Sequence, residues 1–108
     1  MSEALVEGGA DGELRLSGVL DYQTGPVLRR AGQGLIREGK GQRLLIDCSA
    51  VKKSSSVGLS LLLAFIRDAV ASEREVAIVG MPDDMHQIAR VSGLLDVLPF
   101  AGEIRGNE

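Results

Sequence analysis

Three consecutive serines, Ser54-Ser55-Ser56, stand in mid-chain within the stretch KKSSSVG, Lys52 to Gly58. A hydroxyl in such a place can attack a substrate, cap a helix, accept a phosphate or face a partner from a docking turn. The other groups that carry chemistry are few. His86 is the single histidine and Cys48 the single cysteine. A serine nucleophile needs an imidazole held against it by a third group, and nothing in the spacing brings His86 to a serine. One His and one Cys without a carboxylate cluster are too few for a metal site. Gly32-Gln33-Gly34 begins like a dinucleotide fingerprint, but position 37 is Arg where the third glycine belongs, and the stretch lies in a helical pattern. There is no GxxxxGK[ST]. Asp83-Asp84 reads as a pair of acids in the first turn of a helix, at the positive end of its dipole. Cys48 follows an apolar strand and reads as a small buried side chain. These residues point to no enzyme, no cofactor and no metal.

The whole chain sets the same bounds. Its 108 residues suffice for one domain with one core. Apolar residues make up 44% and charged residues 25%, the composition of an ordered globular protein. The net charge is −3 with no run of Lys and Arg, and there are only three aromatics. A nucleic-acid binder shows a basic stripe and a stacking surface instead. A lone cysteine fits a reducing, cytosolic compartment. The first residues, MSEALVEGG, carry acids and no basic-then-apolar stretch, so they do not read as a secretory signal. The most apolar segment, Val57 to Ile66, is far short of the roughly 20 residues a membrane span needs.

These groups must be positioned by a simple series of elements. Ala4-Leu5-Val6 and the alternating Glu13-Leu14-Arg15-Leu16-Ser17 flank a glycine-rich turn, which predicts an antiparallel hairpin. A helix comes next, capped by Thr24 or Gly25 with Pro26 in its first turn and ended at Gly39. Gly32 and Gly34 within it each cost about 1 kcal/mol relative to Ala. Arg43-Leu44-Leu45-Ile46-Asp47 reads as a central strand buried on both faces. The serine stretch is the loop after it. Val57 to Ala71 reads as a helix and Glu75 to Gly80 as a second buried strand, a βαβ unit with a parallel pair. A third helix starts near Pro82 and ends at Gly93. Leu94 to Phe100 pack as a last short strand or helix, and residues 101–108 read as a frayed tail. The expectation is one α/β domain over residues 1–100.

Within that frame the serine loop lies beyond the carboxyl end of a strand, where ligands and partners gather in open α/β sheets. Ser55 or Ser56 can cap the next helix. No Glu or Gln stands three residues after either, so there is no capping box. The helix is also too apolar for one face. Leu59, Leu62, Leu63, Ile66 and Val70 can face the sheet, which leaves Val57, Leu61, Ala64 and Phe65 for another element or another protein. Arg67 and Asp68 read as a solvated pair. Capping and docking both stay open, and the two are compatible.

The run LLIDCSAV, the serine loop, GLSLLLAFI and the ending SGLLDVLPF together resemble the STAS domain over residues 3 to 100. That family includes bacterial anti-sigma factor antagonists, the cytoplasmic ends of sulfate transporters, and the small MlaB-type subunits of the Mla phospholipid ABC transporter. The resemblance implies an α/β, STAS-like single domain, a mixed sheet of about four or five strands with three or four helices packed on it. Ile46-Asp47 and Ser49 match the opening of the family's motif and Gly58-Leu59 its close. Ser56 falls on the Ser or Thr that partner-switching members have phosphorylated. Ser55 falls on the preceding Asp and departs from it, as does Val57 at the residue before the glycine.

The short form with the lost Asp and the ending GLLDVLPF is most similar to the MlaB-type branch. This resemblance implies a non-catalytic accessory subunit. It would bind the ATPase subunit of a phospholipid ABC transporter, in a complex with the permease subunits, and sit at the inner membrane only through that partner. The contact residues implied are Ser54, Ser55, Ser56, Val57 and Leu61, with Lys52 and Lys53 at the rim, where charge acts mostly on association rate. The second expectation is an anti-sigma factor antagonist switched by phosphorylation at Ser56, with an anti-sigma factor as partner. A third, a small-molecule or nucleotide module, lacks converging polar groups in the sequence.

Overall fold

Residues 4–9 and 12–101 are described by the structure, a computed structural model. The glycine-punctuated N-terminus folds into the expected hairpin, β1 (Ala4–Gly8) against β2 (Glu13–Leu20), antiparallel with Val6 opposite Leu16. Helix α1 (Gly25–Glu38) leads to β3 (Arg43–Ser54), α2 (Ser56–Ala71), β4 (Glu75–Val79), α3 (Asp83–Val91) and a short 3-10 turn at Leu95–Val97. The sheet order is β1-β2-β3-β4. β2, β3 and β4 run parallel, so the sheet is mixed.

Every parallel step moves one strand further in the same direction. Right-handed crossovers taken that way lay their helices on one face of the sheet. α1 packs over β1 and β2, α2 over β3 and β4, and α3 against α2 and β3. The core lies between the two layers. Leu14, Leu16, Ile46, Leu62, Phe65 and Ile78 are wholly enclosed there.

This one-sided cover corrects the reading of Leu44-Leu45-Ile46. Leu44, Ile46 and Cys48 are buried, whereas Leu45 and Asp47 are half-buried and Ser49 is exposed. The strand alternates because only one face carries helices. It is also longer than the expected Arg43–Asp47. It continues along β2 until Ser54 lies opposite Leu20, with register shifts between Arg15 and Ser17 and between Gly18 and Val19. Bulges of this kind sharpen the strand's twist. Lys52, Lys53 and Ser54 are therefore strand, and the loop contracts to Ser55.

On α2, the residues left for another element or another protein are taken by another element, and Val70, expected to face the sheet, is corrected. Leu61, Ala64 and Phe65 are core residues, while Val70 is 63% exposed. The reason is α1, which lies alongside α2 and covers the flank that the sequence left open. Gly32 makes the contact close: a methyl group there would overlap the Phe65 ring. Asp68 is no solvated charge either. Its carboxylate receives both terminal nitrogens of Arg29 across the helix pair, at 2.6 and 3.3 Å.

The remaining elements hold their expected places. Gly93, at φ +74°, follows α3, where a left-handed residue suits a glycine. Leu94 to Phe100 supply both a helical turn and a strand-like bridge, Phe100 beside Ile78. The Ala101 amide donates to Ile78 O at 2.9 Å; the rest of the tail segment, 102–108, lies outside the described residues. Among the described residues no helix is long and apolar enough to cross a membrane.

Candidate docking site

Each helix comes after a parallel strand, so the starts of α1, α2 and α3 meet at one edge of the sheet. β2 ends at Leu20 in a turn closed by Asp21, whose Oδ1 accepts the Gln23 and Thr24 amides at 3.0 and 3.1 Å. Thr24 Oγ1 donates to Val19 O at 2.9 Å and accepts the Asp21 amide at 3.0 Å. Thr24 holds this turn rather than capping α1 with its side chain.

The serine turn is joined to it. The Ser55 amide donates to Leu20 O at 3.0 Å. Ser55 Oγ accepts the Val57 amide at 3.1 Å, which makes Ser55 the N-cap of α2. Ser54 Oγ donates to Ser55 O at 2.8 Å, and the Ser54 amide donates to Asp84 Oδ2 at 2.8 Å. Gly58 is required beneath this arrangement, because a methyl group there would overlap Ser54 Oγ and press on Leu20.

The expected contact residues thus divide. Lys52, Lys53, Ser55 and Ser56 are exposed and Val57 is half-buried. Ser56 opens α2 and its hydroxyl has no hydrogen-bond partner among the described residues. Ser54 is buried, and its hydroxyl is engaged by the turn itself. Leu61 is buried too. It forms part of the floor of a shallow hollow of about 360 Å³, with Tyr22, Gly25, Pro26, Arg29, Val57 and Ser60 around it. Tyr22, 76% exposed, is the residue of this face that sequence reading passes over. The signal available is its place in the loop before Pro26, at the same sheet edge as the serines.

The chemistry open to this edge is limited. Among the described residues no carboxylate or imidazole accepts a hydrogen bond from a serine hydroxyl of the turn. His86 is exposed and lies beside Phe100, ring centroids 6.3 Å apart. No group of three metal-ligating side chains is found among the described residues. Ser49 is the serine that does meet an acid, donating from Oγ to Asp47 Oδ1 at 2.6 Å, where it shapes the bulge of β3.

Cys48 lies in the core on the other face of that bulge. Burial, and then the Asp47 carboxylate, push its thiol up from 9.0 to about 12. A rise of that size lowers the thiolate fraction about a thousandfold at a given pH below 9. Alkylation of the folded protein at pH 8 is therefore expected to run at least about a hundredfold slower than in denaturant, measured by mass spectrometry. The raised pKa also contributes stability that is fully present below pH 9.0 and is lost as pH rises through about 12. Rapid labelling of the native protein would overturn this assignment.

The family model described as "Mlab, STAS domain" matches residues 4–99. Among solved structures, an anti-sigma factor antagonist from Mycobacterium paratuberculosis is 28% identical, with 94% of this chain and 86% of that chain covered and a TM-score of 0.74. The anti-sigma factor antagonist SpoIIAA in its unphosphorylated form is 17% identical over 95% of this chain and 91% of that chain, with a TM-score of 0.70. The Bacillus cell fate determinant SpoIIAA in the phosphorylated form is 19% identical over 95% of each chain, with a TM-score of 0.64. The two SpoIIAA structures share the fold. No curated protein matches this chain. With a mixed four-stranded sheet, helices over one face and a serine turn at the carboxyl edge, matched from residue 4 to 99, the chain belongs to the MlaB-type STAS domain family.

Proposed function

We propose that the protein is a non-catalytic accessory subunit that binds and supports the ATPase subunit of an inner-membrane phospholipid ABC transporter, in the maintenance of outer-membrane lipid asymmetry. It would be cytoplasmic and held at the membrane through that partner. The observation that carries this reading is the MlaB-type match across residues 4–99. The site agrees with it. Ser55 stands where partner-switching relatives of the resemblance carry an acid, and it is already committed as the cap of α2. The turn is built and held without any modification, as a constitutive docking surface requires. The hydroxyls are engaged by backbone groups or left free, and among the described residues none donates to a carboxylate or imidazole, as suits a subunit without chemistry of its own.

The second reading is an anti-sigma factor antagonist. The observation that favours it is the 28% identity to such a protein over 94% of this chain, together with the free, exposed Ser56 at a helix start, a favourable place for phosphate. The two readings separate in one experiment. The protein is captured from its own cells under mild detergent, and both the associated proteins and its own phosphorylation are read by mass spectrometry. Co-purification of a transporter ATPase and permease with unmodified Ser56 is expected. Capture of an anti-sigma factor, or phosphate on Ser56 in any growth state, would replace the first reading with the second.

A further inference from the structure

Past Val79 the sheet loses its fourth strand. β4 pairs with β3 only as far as Asp47, while β3 runs on along β2 to Ser54. Amides alternate sides along a strand. The Ser55 amide turns toward Leu20 on β2, so the Ser54 amide turns the other way, toward the side that β4 has left. A part-buried amide there needs an acceptor, since unpaired buried backbone groups are rare.

Asp84 supplies it. One carboxylate oxygen accepts the Ser54 amide at 2.8 Å and the other accepts the Met85 amide at 2.8 Å. An acid in the first turn of α3 is explained by its own helix. A bond to a residue 30 positions earlier is not. Met85 is wholly buried, which fixes that end of α3 to the core. The carboxylate thus ties the serine turn to a rigid point. The Ser54 hydroxyl bonds only to Ser55 O, within the turn itself, so it gives the turn no outside anchor, and Gly58 packs beneath. Any shift of Ser54 passes directly to Ser55, which caps Val57, and so to the exposed Ser56.

We infer that Asp84, in the first turn of α3, is a positioning residue for the docking turn and so for partner binding through it. The inference rests on the docking reading above, and its test keeps the two apart. Asp84→Ala removes both acceptors, Asp84→Asn keeps one oxygen, and Ile78→Val truncates the core away from the turn. The first measurement is amide hydrogen exchange at Ser54 and Ser55 in the protein alone, by NMR. The second is affinity for the purified ATPase subunit of the phospholipid transporter from the same cells.

Asp84→Ala is expected to speed exchange at Ser54 at least tenfold, leave Ile46 and Ile78 unchanged, and weaken binding at least tenfold. Asp84→Asn, with one acceptor oxygen for two amides, is expected to recover part of both effects. Ile78→Val is expected to melt earlier yet bind as the unaltered protein does, a separation that a purely structural role for Asp84 would not produce. Ser54 exchange unchanged in Asp84→Ala, or faster exchange with full affinity, would overturn the inference. If the unaltered protein does not bind the ATPase, the accessory-subunit reading fails, and the exchange measurement still decides whether Asp84 holds the turn.

Discussion

Gly32→Ala is expected to destabilise the protein by about 1–3 kcal/mol, the usual cost of overpacking a close-packed core. Helix propensity alone forecasts the opposite, a gain of about 1 kcal/mol for Ala over Gly in a helix interior. The core term wins because of the ring that lies against Gly32. A methyl group would overlap the ring of Phe65, which is wholly buried. Relief would require α1 and α2 to separate, at the expense of the Arg29–Asp68 pair across them. The control is two residues away on the same helix. A methyl group on Gly34 would meet nothing within 4 Å, so Gly34→Ala is expected to stabilise by about 0.5–1 kcal/mol. Urea denaturation of the two variants side by side checks the claim. Equal stabilisation by both would show that Phe65 does not constrain the approach of the helices.

On the proposed function, Ser56→Glu is expected to weaken binding to the ATPase subunit at least tenfold, about 1.4 kcal/mol or more, while the fold keeps its stability. The two halves have separate physical grounds. Ser56 is the first residue of α2, whose first turn carries no acid. An added carboxylate there meets the positive end of the helix dipole, worth about 0.3–1 kcal/mol in favour of the fold. The Ser55 cap is untouched, and the exposed Ser56 side chain has no hydrogen bond to break among the described residues. In a complex the same charge would be carried into a contact surface beside the apolar hollow of Tyr22, Pro26, Val57 and Leu61. A desolvated charge without a partner is costly there. Thermal denaturation and a binding isotherm on one preparation give both halves. Undiminished affinity in a folded Ser56→Glu variant would place the contact surface elsewhere on the molecule.

Both predictions turn on packing between elements, and that is where sequence reading and structure part. The order of elements is legible because its signals are local. The glycine turn before Glu13, Pro26 at a helix start, Gly39 and Gly93 at helix ends, and the change from alternating to helical periodicity each act within a few residues. The serine turn is legible as a place for the same reason. A strand, a cap and an apolar helix in succession put it at the carboxyl edge of a sheet.

The departures share one cause as well. Local composition ends β3 at Asp47, because Cys48 to Ser54 looks like a loop. The ladder to β2 carries it seven residues further to Ser54, and no local pattern records that pairing. Periodicity leaves Leu61, Ala64 and Phe65 to another element or another protein without choosing between them, because one helix cannot turn nine apolar residues to one sheet. The neighbouring α1 covers them, through a glycine whose role depends on a residue 33 positions away. Ser54 reads as surface in the sequence, yet it is held from the far side by Asp84.

By itself, then, the sequence determined the order of strands and helices, that they form one α/β domain, and that a cap for α2 falls at Ser55 or Ser56. Those outcomes depend on backbone preference and periodicity, which are properties of neighbours in the chain. Only the tertiary structure decided which hydroxyl is free. The Ser54 hydroxyl donates to Ser55 O, the Ser55 hydroxyl accepts the Val57 amide and donates to Leu20 O, and that of Ser56, exposed, alone of the three has no partner among the described residues. That selection comes from three strand ends and three helix starts meeting at one sheet edge, and proximity of that kind is created by folding.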